Sequence, residues 1–210
     1  MKSNTAGLWE RLTRKIYIEG KRSYEKAAIR ALYGKGNVHE SVHFSLNADL
    51  QNLGNDRNAI SIGERSNIEG LILVYSYGGK VSIGKFCSLS PNARLISVDG
   101  IRIGNRVLIA HNVNIIDNNS HPLDAEERHI DFMNSMRSGM KKVDLRSAPI
   151  IIEDDVWIGH NCSIHKGVTI GRGAIIGSNS VVTKDVAAWT INAGNPLRLL
   201  READKKDEKK

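Results

Sequence analysis

Ile158, Ile164, Ile170, Ile176 and Val182 stand six residues apart without a break. The segments they open read IGHNCS, IHKGVT, IGRGAI, IGSNSV and VTKDVA. A period of six matches neither the 3.6-residue turn of a helix nor the two-residue alternation of a strand. It fits a solenoid with flat-sided coils, each hexapeptide supplying one side. The aliphatic residue points into a narrow interior. The residue four places on (Cys162, Val168, Ala174, Ser180, Val186) is small or apolar and shares that space. Three hexapeptides close a triangular coil of about 18 residues, and coils stack at the ~4.8 Å strand spacing. The rhythm recurs upstream at Ile62 and Ile68, at Ile83 and Leu89, at Ile103 and Ile109, and resumes at Ile152.

Composition agrees with such a core. The chain has 24 Ile and 13 Val but only 5% aromatics, and branched aliphatics favour strands. Its 19 Gly and 18 Asn tolerate left-handed backbone, as many tight corners require. A length of 210 residues suits one domain with short extensions. No apolar run approaches the ~20 residues of a membrane-spanning helix. The first residues, MKSNTAGLWERLTRK, lack a signal-peptide apolar stretch, so a cytoplasmic protein is expected. Two cysteines, Cys87 and Cys162, are too few for a disulfide framework or a Cys-only zinc site.

The net charge of +7 is unevenly placed. Residues 1–36 hold nine Lys/Arg against three Asp/Glu, whereas residues 37–200 hold sixteen of each. A neutral body argues against a nucleic-acid partner. The basic N-terminus is either a solvated helix face or, at most, a peripheral contact with an anionic membrane. Residues 1–36 read as helical, with Leu8, Leu12 and Ile16 recurring beside Trp9. Gly20 should interrupt, and Ala27, Ala28, Ala31 and Leu32 form a second short helix before Gly34 and Gly36. Residues 37–200 form the β-solenoid. Residues 118–148 break its rhythm as a loop excursion, and residues 201–210 are a charged tail, frayed or disordered.

Several motifs are shared with a known family. IGNRVLIAHNVNI precedes the DNNSHP turn and the excursion; PIIIEDDVWIGHNCSIHKGVTIGRGAIIGSNSVVTKDV and AGNPLRLL follow it. Over about residues 60–201 the chain resembles the hexapeptide-repeat acyltransferases, closest to the galactoside and maltose O-acetyltransferases and their surface-polysaccharide relatives. The resemblance implies an all-β fold, a left-handed parallel β-helix with a short helical N-terminal segment. It implies a homotrimer with active sites between subunits. It also implies direct acetyl transfer from acetyl-CoA to a sugar or polysaccharide-precursor hydroxyl or amine, with no metal required.

Site residues follow from the same motifs. His121, in the Ser-His-Pro turn, matches the family's catalytic histidine. A sugar hydroxyl cannot attack a thioester unaided, and an imidazole can take its proton near neutral pH. Asn92 matches an acceptor-binding position, or is a corner Asn chosen for left-handed backbone. Asp117 binds acceptor hydroxyls or caps the loop. For the donor, Trp157 resembles an exposed family Trp near the pantetheine arm, and His160 and Ser178 align with CoA contacts. Thr183 and Lys184 match the CoA-binding Thr-Lys pair. Arg198 and Arg201 match basic residues that meet the nucleotide phosphates, where cations suit the charge. The family's frequent Pro-Gly-Val is replaced here by His165-Lys166-Gly167. A rival reading takes His111, His160 and His165 as zinc ligands of a carbonic-anhydrase-like β-helix, since three imidazoles and a water suit Zn²⁺.

Overall fold

A computed structural model describes residues 5–138 and 143–204. Within them the chain coils around one axis, laying a short strand on each of three sheets in turn. We call these faces A, B and C. Coil 1 contributes Asn37–Val38, His43–Phe44 and Asp49–Asn52 to A, B and C. Coil 2 contributes Ile60–Ile62, Asn67–Ile68 and Leu71–Val74; coil 3, Val81–Ile83, Ser88–Leu89 and Arg94–Ser97. Coil 4 is Ile101–Ile103, Leu108–Ile109 and Asn114–Ile116; coil 5, Ile150–Ile152, Trp157–Ile158 and Ser163–His165. Coil 6 is Thr169–Ile170, Ile175–Ile176 and Val181–Val182, and Thr190–Ala193 adds a seventh strand to face B. Strands from successive coils pair in parallel, so the hexapeptide rhythm becomes vertical stacks. One stack on face A is Ile62, Ile83, Ile103, Ile152 and Ile170.

The inward positions are those the spacing marks. Ile158, Ile164, Ile170, Ile176 and Val182 are all buried, as are Cys162, Val168, Ala174 and Ser180 beside them. The first coil starts at Asn37, where Val38, Phe44 and Leu50 stand in for Ile and blur the repeat. The corners explain the Asn content. Asn92, Asn112, Asn161 and Asn179 turn the corner from face B to face C in coils 3 to 6, each with φ between 56° and 61°. Asn adopts that left-handed conformation more readily than most residues.

Three elements depart from the sequence reading. The N-terminal segment is one helix, α1 (Thr5–Leu32), running straight through Gly20. A single Gly costs a helix only ~1 kcal/mol. Here the i,i+4 pairs Lys15–Glu19 and Lys21–Glu25 support the turns on either side. Among the described residues its C-terminal end packs on the core through Ile29 and Leu32, and Tyr33 just beyond it meets Phe44 edge-on. Leu12, Ile16, Tyr17 and Tyr24 are exposed. The side chains of Leu8 and Trp9 lie outside the described residues. Second, the excursion is not all loop, for it holds helix α2 (Ala125–Ser138). Asp124 caps α2, its Oδ1 accepting from the amides of Glu126 and Glu127 at 3.0 Å. Third, Arg198–Glu202 is a strand that doubles back antiparallel to Thr190–Ala193, so the charged tail begins ordered. Its residues 205–210 lie outside the described set.

Candidate active site

The excursion leaves face C after Ile116 and is tied down by one carboxylate. Asp117 is fully buried. It accepts from Ser97 Oγ (2.7 Å), from the amides of Val98 (3.0 Å), Asp99 (3.0 Å) and Gly100 (2.8 Å), and from Asn118 Nδ2 (3.0 Å). Its own carbonyl receives the Ala148 amide at 2.9 Å, closing the excursion at its far end. Of the two roles expected for Asp117, the geometry therefore gives the loop anchor. An acceptor hydroxyl cannot reach a carboxylate so enclosed.

From that anchor the chain enters the Ser-His-Pro turn. Asn118 Oδ1 takes the Ser120 amide at 2.7 Å, Ser120 adopts φ 65°, and the His121 amide bonds Asn119 O at 2.7 Å. The His121 ring projects outward, its side chain 53% exposed, with Nδ1 3.1 Å from Asp131 Oδ2 of α2. Arg128, also on α2, bonds the carbonyls of Pro122 (3.4 Å) and Leu123 (3.1 Å), tying helix to turn. A cleft of about 480 Å³ opens on one side of the turn, lined by Asn118, Ser120, Leu123 and His165. A second, of about 560 Å³, lies across the excursion between Tyr77, Asp99, Asp144 and Ser147. The rings of Tyr75 and Tyr77 lie 5.4 Å apart, tilted at 44° to one another. Burial first pushes both phenols above their ordinary range, with the Asp131 charge behind it for Tyr75, and Tyr75 and then Asp131 behind it for Tyr77, so they remain neutral donors.

The remaining predicted residues divide between two edges of the prism and face B. Thr183 and Lys184 follow Val181–Val182 at the corner from face C to face A, the corner from which His121 springs two coils earlier. Asn92, His160 and Ser178 lie at the B-to-C corner. There His160 Nδ1 is 2.7 Å from Ser178 Oγ, and the His160 ring stacks on His111 at 5.1 Å. Asn92 shares the left-handed corner conformation of its stack and is also exposed, so both of its expected roles remain compatible with its place. Trp157 stands outward on face B, 51% exposed, between Leu108 and Ile175. Further along face B, Arg201 lies opposite Ile191, and Arg198 opposite Ala193. From Trp157 to Arg201 is three strand spacings, ~14 Å. A face is one hexapeptide wide, on the order of 15–20 Å at ~3.3 Å per residue. His121 thus springs from the edge opposite the face that carries Trp157.

The three suspected zinc ligands are not gathered either. His111 and His160 share a corner, while His165 stands on the outer side of face C. Among the described residues no group of three or more His, Cys, Asp or Glu is placed to hold a metal ion. Burial raises both thiols, Cys87 and Cys162, so neither is an activated nucleophile. Asp131 and the two tyrosines went unnoticed in the sequence. The Asp124–Glu127 spacing, a helix-capping pattern, was the available signal for α2.

Fold and repeat together define a hexapeptide β-helix, and comparisons with known proteins agree. Residues 149–184 match the family model "bacterial transferase hexapeptide (six repeats)". The galactoside O-acetyltransferase of Escherichia coli (strain K12) is 34% identical over 148 residues, 70% of this chain and 66% of that protein. Among solved structures, the N-acyltransferase AntD from Bacillus cereus, in complex with dTDP and 3-hydroxybutyryl-CoA, superposes with TM-score 0.64 at 18% identity. That match covers 85% of this chain and 88% of AntD. The polySia-specific acetyltransferase NeuO superposes with TM-score 0.57 at 26% identity, covering 82% of this chain and 76% of its own. The chain thus belongs to the hexapeptide-repeat acyltransferases, with their left-handed parallel β-helix, in the group that includes galactoside O-acetyltransferase. It spans just under two thirds of the length of its curated relatives, at 66%, 58% and 60% for three of them.

Proposed function

We propose that the protein transfers an acetyl group from acetyl-CoA to a hydroxyl of a sugar or polysaccharide precursor, directly and without a covalent enzyme intermediate. The observation that carries this reading is the His121 ring. It is held outward, half exposed, with Nδ1 occupied by a carboxylate, which leaves Nε2 for chemistry. Nε2 takes the proton of the acceptor hydroxyl as its oxygen bonds to the thioester carbonyl carbon. The tetrahedral intermediate collapses, the C–S bond breaks, and the departing CoA sulfur receives the proton back from Nε2. The donor groove comprises Trp157 against the pantetheine arm, His160 and Ser178 beside it, and Thr183, Lys184, Arg198 and Arg201 toward the phosphates. Asn92 orients the acceptor.

The separation of His121 from Trp157 supports a further step. Each active site is built from the C-to-A edge of one copy and the face-B side of its neighbour, in a closed homotrimer. The acceptor class is supported by the names of the galactoside and polySia-specific relatives. Surface-polysaccharide synthesis on the cytoplasmic side, where acetyl-CoA is at hand, is the setting we infer. No helix among the described residues is long and apolar enough to cross a membrane. The test is thiol release from acetyl-CoA with a panel of sugars and sugar nucleotides. His121→Ala should keep acetyl-CoA binding and lose at least ~10²-fold in rate. Near-normal turnover by that variant removes His121 from the mechanism.

A further inference from the structure

We propose that Asp131 is a positioning residue for His121 and that α2 exists to present it. The inference rests on His121 being the base. An ionised carboxylate can only accept hydrogen bonds. With Asp131 Oδ2 3.1 Å from Nδ1, the ring hydrogen is held on Nδ1 and the lone pair faces outward on Nε2. An unheld imidazole on an exposed turn rotates about its side-chain torsions and exchanges tautomers, so only part of its population is competent. The Asp131 side chain is itself well placed to hold it, at only 14% exposed.

The surroundings of Asp131 fix its position. Asp124 caps α2 and Arg128 bonds back to the carbonyls of Pro122 and Leu123, so helix and turn form one unit. Tyr75 and Tyr77 sit near enough for the Asp131 charge to act on both phenols. Asp131 is ten residues beyond His121 in sequence, and only the fold-back of α2 brings the two together. While Nε2 carries the acceptor's proton, the Nδ1 hydrogen keeps its carboxylate partner, so the ring holds its orientation through the transfer.

The test is Asp131→Asn in the full chain, since the substitution keeps shape while its amide can now donate to Nδ1. We expect a fall of roughly 10–10²-fold in kcat, with the KM for acetyl-CoA within about twofold. The ¹⁵N shifts of His121 should move away from the Nδ1–H tautomer. In the background of His121→Ala, Asp131→Asn should cost nothing further. Asp131→Ser, smaller and unable to act as an anion, serves as the second variant if the Asn form does not fold. Wild-type kcat in Asp131→Asn beside an inactive His121→Ala overturns the positioning role and leaves the base assignment standing. An unchanged tautomer does the same, whatever the rate. Wild-type turnover in His121→Ala overturns both, the base assignment first.

Discussion

Asp117 holds up the candidate site without touching it. Five donors converge on its buried carboxylate, three of them consecutive backbone amides. Asp117→Ala strands those donors away from water, and each unsatisfied group costs ~1–3 kcal/mol. We expect a loss of at least about 3 kcal/mol in urea denaturation, the low end for the three backbone amides alone, together with loss of turnover because the His121 turn is released. A variant with wild-type stability would mean that the loop is anchored elsewhere. Single residues were legible in the sequence only when their role is periodic or a motif names them. Ile158 and Cys162 were readable from spacing, and His121 from its turn. Asp117 was noticed, but its role depends on which amides the fold aims at it. Asp131 was invisible, because its pairing is made by a helix folding back over ten residues.

At the scale of elements, the strands were legible and α2 was not. A strand of this solenoid recurs, so each copy strengthens the reading of the others. The excursion occurs once, and its exposed Ile130, Phe132 and Met136 mask any helical stripe. Replacing residues 125–142 with a short Gly/Ser linker should leave the β-helix melting within a few degrees. The same change should lower transfer by at least ~10-fold, since positioning of the base is lost. Collapse of the whole fold would contradict that division.

The edge between faces A and B makes a different prediction. There Arg106 bonds Asp155 through both Nε (2.6 Å) and Nη2 (2.8 Å), Arg172 adds Nε at 3.0 Å, and Arg172 also lies over Trp189. The Arg106 guanidinium first, with Arg172 behind it, holds the Asp155 carboxyl below its ordinary 3.8. A depressed carboxylate stabilises the fold fully above that ordinary value, and the contribution is lost as pH falls through the lower folded value. Asp155→Asn should therefore be less stable by about 0.5–1 kcal/mol near pH 6. The gap from wild type should close toward pH 2–3. A gap that stays constant over that range would show that the charge is not what the edge uses. Gly173 belongs to the same edge: with φ +67° and the Trp189 ring against the place where a Cβ would stand, no side chain fits.

For the whole molecule, the separation of the two edges is the strongest claim. If sites lie between copies, His121→Ala and Trp157→Ala should complement when co-expressed. A randomly assembled trimer pairs an intact His121 edge with an intact Trp157 face at roughly a quarter of its interfaces. Turnover near that fraction, above either variant alone, is expected from the co-purified mixture. No gain would place each site within one chain. The helical segment 5–32 packs on the solenoid at its C-terminal end, through Ile29 and Leu32, so removing residues 1–20 should leave the β-helix folded, as its melting curve would show. Architecture was the most legible level of all, because a six-residue period admits few folds.

The account rests on a donor site for acetyl-CoA, and a calorimetric titration of the metal-stripped full chain with acetyl-CoA tests it without knowing the acceptor. Saturable binding near one site per subunit, weakened about tenfold or more by Trp157→Ala through lost aromatic contact, is the predicted result. A folded, intact assembly that takes up no acetyl-CoA would contradict the account.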